Sequence, residues 1–228
     1  MLSQWPHDFS YHSLIEKFGK HLTWGIVASS LLLVLFANLA EDLLEQELGT
    51  FDASITNFVQ SYATERLTSL AIVITQLGSA FVEITLLLVV GGYLIFRLKH
   101  IWETVALTSS LAGGWVLNIL LKDIFHRSRP DIRHLVEAGG YSFPSGHAMV
   151  SAAFYGMLGY LLWMNLRERS KQSWYVIVLT CALILAIGIS RIYLGVHFPS
   201  DVVAGFAAGG IWLAACIASL HTIRCYKN

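Results

Sequence analysis

Charged side chains are scarce in this sequence. Only 13% of its 228 residues are Asp, Glu, Lys or Arg, whereas 55% are hydrophobic. A soluble domain typically has about a quarter of its residues charged, so this composition excludes an ordinary soluble protein. The 15 basic residues balance the 15 acidic ones, which gives no indication of a nucleic-acid partner. We therefore predict an integral membrane protein.

Cysteine is also rare, and the common nucleotide and metal motifs are missing. The three cysteines are an odd number without metal-ligand spacing, so they indicate neither a disulfide framework nor a metal centre. The sequence has no cluster of carboxylates suited to magnesium and no Gly-x4-Gly-Lys loop for a nucleotide. We expect a function without metal, cofactor or nucleotide.

Long hydrophobic runs are abundant. A membrane-spanning helix needs roughly 20 mostly apolar residues. Six segments meet this requirement: 22–41, 80–96, 102–123, 147–164, 174–193 and 201–220. These runs predict an all-α fold, in which residues 1–228 form a single polytopic membrane helix bundle with six transmembrane helices.

Two shorter segments lie between the first two predicted spans. Apolar residues recur at helical spacing over 52–62, which predicts an amphipathic helix at the membrane interface with Asp52 as its N-cap. The run 67–77 is apolar but short. It is predicted to be re-entrant or interfacial, and a seventh span is the alternative.

The distribution of lysine and arginine predicts the orientation in the membrane. With the N-terminus in the cytoplasm, nine of these residues lie on the cytoplasmic side and six on the outer side. The outer six become three when Lys122, Arg129 and Arg191 are set aside as functional. Both termini are therefore predicted to be cytoplasmic.

Three polar clusters interrupt the apolar sequence. They are Lys122 with Arg129-Pro130, then Pro144-Ser145-Gly146-His147, then Ser190-Arg191 with His197 and Asp201. A helix rises about 1.5 Å per residue and consecutive spans run in opposite directions, so all three clusters are expected at the outer end of the bundle. Each residue alone has an ordinary explanation, such as a helix cap or a lipid-headgroup anchor. Together, at one depth, they indicate a functional site.

The residue types in the clusters suit the binding and transfer of a phosphoryl group. The three basic residues, with backbone N–H groups at the start of a helix, would form a cage for a tetrahedral anion. The two histidines would supply a nucleophile and a proton donor. Arg191 follows a long uncharged run, and the cost of burying a guanidinium indicates an anionic partner. Asn118, one turn before Lys122, is a candidate to position that lysine.

The order and spacing of the clusters resemble the signature of the type-2 phosphatidic acid phosphatase family, which is Lys-x6-Arg-Pro, Pro-Ser-Gly-His and Ser-Arg-x5-His-x3-Asp. Every signature position is matched in this sequence, and in layout the resemblance extends over residues 52–220. The short connections are similar to those of the compact bacterial membrane members. The resemblance implies a metal-independent lipid phosphatase.

The resemblance also implies a role for each matched residue. His197 would attack phosphorus to form a phosphohistidine, and Asp201 would orient its ring. His147 would protonate the leaving lipid oxygen and then activate water. The phosphate-binding residues would be Lys122, Arg129, Ser145, Gly146 and Arg191.

The implied substrate is a membrane lipid phosphate at the outer surface of a bacterial cytoplasmic membrane. Undecaprenyl diphosphate, phosphatidylglycerol phosphate, phosphatidic acid and diacylglycerol pyrophosphate are the candidates. A lipid phosphotransferase would use the same residues and stays open. An anion or lipid transporter would need ionisable residues at mid-membrane depth. The centres of the predicted spans contain mainly small and aliphatic residues, which disfavours transport.

Overall fold

A computed structural model describes residues 11–132, 134–167 and 173–227, which form eight helices joined by turns and loops. The helices are α1 (Tyr11–Leu44), α2 (Gly49–Gln60), α3 (Glu65–Leu77), α4 (Ala80–Phe96), α5 (Ile101–Phe125), α6 (Gly146–Arg167), α7 (Trp174–Tyr193) and α8 (Pro199–Lys227). These residues contain no strand, so the prediction of an all-α fold is confirmed. The predicted domain 1–228 also includes residues 1–10, 133, 168–172 and 228, which lie outside the described residues.

Within the described residues, five helical segments are each long and apolar enough to cross a membrane. They are Gly25–Leu44 of α1, all of α5, α6 and α7, and Pro199–Cys225 of α8. Helices α3 and α4 meet the same requirement only together, as a pair bent by 48°. The predicted span 80–96 thus corresponds to α4, and the segment 67–77 corresponds to α3, which continues it across the bend.

The break between α3 and α4 lies at Gly78 and Ser79. Ser79 has extended backbone angles and caps α4, because its Oγ accepts a hydrogen bond from Val82 N (3.5 Å). Gly78 allows close packing at the same point: a Cβ there would lie 2.8 Å from Ile187 and 3.1 Å from the His147 ring. The break therefore brings the α3–α4 junction against α6 and α7.

Helix α2 starts before the predicted interfacial helix, and the prediction of Asp52 as its N-cap is wrong. The N-cap is Leu48, and the Asp52 N–H donates to Leu48 O (2.9 Å) inside the first turn. The Asp52 side chain is only 1% exposed. It faces the start of α8, where its Oδ1 accepts a hydrogen bond from Ser200 N (2.9 Å). The buried side of α2 is therefore determined by this tertiary contact.

Helix α6 lies at the centre of the bundle, in contact with α5, α7 and α8. Two glycines of α8 permit the closest approach. A Cβ at Gly209 would lie 2.2 Å from Met149 O, and one at Gly205 would lie 2.7 Å from Ser145 O. Small residues at a helix crossing replace side-chain bulk by direct backbone contact, as in many membrane bundles. The outer surface is apolar, with Leu31, Phe81 and Leu179 more than half exposed.

The ends of four helices meet at one end of the bundle. Lys122 is in the last turn of α5 and Arg191 in the last turn of α7. Helix α6 begins at Gly146, and Asp201 is in the first turn of α8. A backbone hydrogen bond from Ser145 N to Asp201 O (2.9 Å) joins the starts of α6 and α8.

Candidate active site

Lys122 and Arg129 are directed to one place by the loop between α5 and α6. The carbonyl oxygen of Tyr141 accepts hydrogen bonds from Lys122 Nζ and from Arg129 Nη2 (3.5 Å). Three further carbonyls hold the Arg129 guanidinium: those of Gly139 (2.8 Å), Gly140 (3.1 Å) and Val196 (2.6 Å). The structure thus brings together two of the predicted phosphate ligands.

His197 lies beside Arg129 and has a defined tautomer. Arg129 Nη1 lies 3.3 Å from His197 Nε2, and because a guanidinium can only donate, Nε2 is the acceptor. The ring proton is therefore on Nδ1. This atom lies 3.5 Å from Asp201 Oδ2 and 3.3 Å from Ser142 Oγ. The Nε2 lone pair points away from Asp201 and towards the basic side chains.

The environment of His197 favours its neutral form. The side chain is 2% exposed, and burial lowers the pKa of His197 to about 4. The hydrogen bond and charge of Asp201 oppose this shift, while the charges of Arg129 and Arg191 add to it. A neutral imidazole is the form that can act as a nucleophile.

The start of α6 contributes Ser145 and Gly146. Ser145 is fully buried, and its Oγ has no hydrogen-bond partner among the described residues. Gly146 packs against Asn118, whose Oδ1 would lie 2.9 Å from a Cβ at this position. Asn118 Nδ2 donates to Pro144 O (3.2 Å). Asn118 therefore holds this turn, and its side chain has no hydrogen bond to Lys122 among the described residues.

Arg191 is buried, as predicted, but its partner is a hydroxyl group. Its Nη1 donates to Thr75 Oγ1 of α3 (2.8 Å), and its Nε has no partner among the described residues. No ion pair in the described part of the chain includes Arg191. The predicted anionic partner is therefore not a described protein carboxylate. A bound phosphate would satisfy the requirement.

His147 borders a cleft of about 250 Å³ between α4, α5 and the start of α6. Glu83, Trp115 and Ile119 also line this cleft. His147 is near enough to Arg191 and His197 for their charges to act on it. Ile119 is 59% exposed on the apolar surface of α5. The cleft thus connects His147 with the surface that lipid would cover.

Sequence reasoning missed three residues of the site: Ser142, Arg127 and Asp52. Ser142 Oγ donates to Asp201 Oδ2 (2.5 Å). Arg127, one of the six basic residues that the orientation prediction assigns to the outer side of the membrane, forms ion pairs with Asp201 Oδ1 and Asp52 Oδ2, both at 2.6 Å. The position of Arg127 between the two basic residues of the first cluster was the one available signal. Nothing local distinguishes Ser142 from a loop serine.

The described residues contain no group of three or more His, Cys, Asp or Glu side chains that could hold a metal ion. Independence from metal stays a prediction. The arrangement offers the neutral imidazole of His197, the carboxylate of Asp201 and the second imidazole of His147. Three cations accompany them: Lys122, Arg129 and Arg191. These groups suit phosphoryl transfer, in which positioning and electrostatic stabilisation supply most of the catalysis.

Comparisons with known proteins agree with this chemistry. The family model described as the PAP2 superfamily matches residues 102–225. Phosphatidylglycerophosphatase B of Bacillus subtilis is 36% identical over 136 residues, which are 60% of this chain and 66% of that protein. The undecaprenyl-diphosphatase of Sulfolobus acidocaldarius is 27% identical over 86% of this chain and 89% of its own length.

A solved structure matches nearly the whole bundle. The crystal structure of a transmembrane PAP2 type phosphatidylglycerolphosphate phosphatase from Bacillus subtilis superposes with a TM-score of 0.81 at 29% identity. The match covers 86% of this chain and 96% of that one. In sequence, the chain spans just under two thirds of the Bacillus relative and about half of the lipid A 1-phosphatases that it also matches. The resemblance to the phosphatase family is confirmed.

Proposed function

Because the chain belongs to the PAP2 superfamily, we propose that it is a membrane lipid phosphatase with His197 as its nucleophile. The observation that carries the proposal is the orientation of the His197 ring. Its Nδ1 faces Asp201, and its Nε2 lone pair faces Arg129. A buried neutral imidazole with this orientation is ready to attack a phosphorus atom held by cations.

The reaction proceeds in two displacements. In the first, Nε2 of His197 bonds to the terminal phosphorus while the bond from phosphorus to the leaving oxygen breaks, and protonated His147 gives its proton to that oxygen. The leaving group is the lipid alcohol of a monophosphate or the lipid phosphate of a diphosphate. Asp201 accepts the Nδ1–H hydrogen bond of the cationic phosphoimidazole. In the second, neutral His147 takes a proton from water, whose oxygen attacks phosphorus and releases His197 and inorganic phosphate.

Three buried side-chain polar atoms lack a partner among the described residues; one is Thr56 Oγ1 of α2, and the other two support a phosphate site. These two are Ser145 Oγ and Arg191 Nε, and both belong to residues of the motif clusters. Leaving a buried donor unsatisfied costs about 1–3 kcal/mol, and more for a charged group. A phosphate oxygen would satisfy each of these atoms. The backbone N–H groups at the start of α6 and the charges of Lys122 and Arg129 would bind the remaining oxygens.

The substrate is a lipid phosphate or diphosphate. The names of two relatives make phosphatidylglycerol phosphate and undecaprenyl diphosphate the first candidates, ahead of phosphatidic acid and diacylglycerol pyrophosphate. The cleft beside His147 supports a lipid leaving group, because it borders the exposed, apolar Ile119. We place the site at the outer surface of a bacterial cytoplasmic membrane, with both termini inside.

A phosphate-release assay with these four lipids in one detergent, with a chelator present, tests the activity. The wild type is expected to release phosphate from at least one of them, and His197→Ala is expected to release none. His100→Ala is the matched control, since His100 lies at the other end of the bundle near Glu103. Undiminished activity in His197→Ala would refute the assignment of the nucleophile.

The same preparation separates hydrolysis from transfer and tests the intermediate. Product analysis with and without an acceptor lipid distinguishes a phosphatase from a phosphotransferase. His147→Ala is expected to accumulate a phosphorylated protein with an activated substrate, because the water-activating base is missing. Phosphorylation that persists in the His147→Ala/His197→Ala double variant would contradict a phosphohistidine at position 197.

Thiol labelling in intact cells tests the orientation. Cys225, near the end of α8, is exposed, and Ile132 lies in the exposed loop after α5. Two variants each keep a single cysteine, one at Ile132→Cys and one at Cys225, with every other cysteine replaced by alanine. A membrane-impermeant maleimide should label the first variant and should not label the second. The reverse pattern would place the site on the cytoplasmic side.

A further inference from the structure

Arg127 contacts Asp201 on the side opposite to His197. Its Nη1 donates to Asp201 Oδ1 (2.6 Å) and to Ser200 Oγ (2.7 Å), and its guanidinium lies 4.1 Å from the centre of the Phe198 ring. Its backbone oxygen accepts a hydrogen bond from Ser142 N (2.8 Å). Ser142 in turn donates to Asp201 Oδ2. Arg127 therefore supports both carboxylate oxygens of Asp201, one directly and one through Ser142.

Asp52 continues this chain of contacts to helix α2. Its Oδ2 accepts hydrogen bonds from Arg127 Nη2 (2.6 Å) and Ser200 Oγ (2.7 Å). Its Oδ1 accepts from Ser200 N (2.9 Å), a backbone group in the first turn of α8. Asp52 thus caps a helix that is 148 residues away in sequence. Asp52 and Asp201 are both essentially inaccessible to solvent.

The charges in this network have a consequence for His197. Two buried carboxylates share one guanidinium, so the positive charge of Arg127 does not fully neutralise Asp201. The remaining negative charge is available to the Nδ1–H group of His197, which becomes cationic when Nε2 bonds to phosphorus. A buried ion pair fixes geometry through matched hydrogen bonds, whereas removal of one partner leaves an uncompensated charge. The network is therefore suited to hold Asp201 in place during the reaction.

We propose that Arg127 and Asp52 are positioning residues, which hold the Asp201 carboxylate against His197 and connect helix α2 to the reacting group. The proposal rests on the proposed function. It assigns different roles to two arginines only two positions apart. Arg129 faces His197 Nε2, where phosphate binds, and Arg127 faces the far oxygen of Asp201. Arg127 should therefore affect the rate of the chemical step more than the binding of substrate.

Steady-state kinetics with dioctanoyl phosphatidic acid in detergent micelles test this division. Because removal of a partner that orients a reacting group typically costs 10–100-fold, Arg127→Met should lower kcat by about this factor and change KM by less than about threefold. Arg127→Lys, which keeps a positive charge, should recover part of the loss. Arg129→Lys should instead raise KM. Arg66→Met is the matched control, since Arg66 is exposed in the first turn of α3, and it should leave both constants unchanged.

A double variant tests whether Asp52 acts through Arg127. Asp52→Asn keeps an oxygen for Ser200 N but loses the charge that pairs with Arg127. Alone, it should lower kcat by about 10-fold, and in the Arg127→Met background it should cause no further loss beyond about twofold. Independent, multiplying effects would overturn the proposal.

Folding and catalysis are separated by measuring Tm for every variant. A folded Arg127→Met protein with wild-type kcat, or with raised KM and unchanged kcat, would overturn the proposal. If Arg127→Met does not fold, Arg127→Lys and Asp52→Asn decide the question. A lower Tm with wild-type kcat in both would show a purely structural link. The proposed function is tested separately by wild-type activity and its loss in His197→Ala, so it would survive these outcomes.

Discussion

Replacement of Gly205 by alanine tests the close contact that joins the starts of α6 and α8. Gly205 lies one turn after Asp201, and a Cβ there would lie 2.7 Å from Ser145 O, 3.0 Å from the Ala148 Cβ and 3.2 Å from Met149 N. An unstrained carbon–oxygen contact requires a separation larger by about half an ångström. Gly205→Ala should therefore move Ser145, a proposed phosphate ligand, away from Asp201 and His197.

The size of the effect follows from the displacement. A misplacement of about 1 Å in a catalytic site can cost roughly 100-fold in rate, so half of this should lower kcat/KM by about 10-fold. Stability should change less, because an overpacking cost of about 1–3 kcal/mol is offset by about 1 kcal/mol from the better helix propensity of alanine. The expected protein is folded but slow.

Phosphate release from dioctanoyl phosphatidic acid and Tm in detergent are the two measurements. Gly92→Ala in α4 is the matched control, because among the described residues no atom apart from its chain neighbours and the nearby backbone of its own helix lies within 4 Å of the Cβ that it would add. It should keep wild-type activity. If Gly205→Ala also keeps wild-type kcat/KM, the geometry of the α6–α8 contact does not control the site.

Three further predictions concern the surroundings of the reacting groups. Ser142→Ala removes the hydroxyl bonded to Asp201 Oδ2, so kcat should fall by about 10-fold at unchanged KM; a change in KM alone would contradict an orienting role. Thr75→Val removes the hydroxyl that accepts from Arg191 Nη1, so KM should rise by about threefold to 10-fold; an unchanged KM would show that Arg191 needs no fixed direction. Burial lowers the pKa of His197 from 6.5 to about 4, so between these values the unfolded chain binds more protons than the folded one, and stability falls as the pH falls. At roughly pH 5 the loss of folding stability amounts to about 2 kcal/mol. The Tm of the wild type should therefore fall further than the Tm of His197→Gln between about pH 7 and pH 5. Equal decreases in Tm would refute a buried neutral imidazole.

The convergence of the motif residues was predictable, because it depends only on the lengths and directions of the membrane spans. Spans of about 20 residues in alternating directions must return to the same surface, so Lys122, Arg191 and Asp201 had to share one end of the bundle. Motif spacing then identified the chemistry. The position of the break between α3 and α4 was predictable, because the sequence separated the segment 67–77 from the span 80–96. Its bend of 48° was not, since it depends on how α3 packs on α7.

The network of Asp52, Arg127 and Asp201 could not be predicted, because its contacts join distant parts of the chain. Asp52 is 75 residues from Arg127, and Arg127 is 74 residues from Asp201. An aspartate near the start of an amphipathic helix has a sufficient local explanation as a cap, and a single sequence offers no reason to reject it. The buried side of α2 depends on the position of α8. A polar residue in a membrane-surface helix can therefore belong to a site that its own sequence neighbours do not indicate.

The position of the site at the helix ends follows from the two steps of the proposed reaction. The first step needs the lipid oxygen beside His147, and the cleft that contains His147 borders the apolar surface at Ile119. The second step needs water, which is available on the loop side, where Lys122 and Arg129 are only partly buried. A site one turn deeper, about 5.4 Å, would lose the free N–H groups at the start of α6. It would also place Arg191 further into hydrocarbon, at a cost of about 2.5 kcal/mol or more. Helices α5 and α7 must therefore have lengths that bring Lys122 and Arg191 to the same depth. A change in the length of one helix without the other should separate the phosphate from its nucleophile.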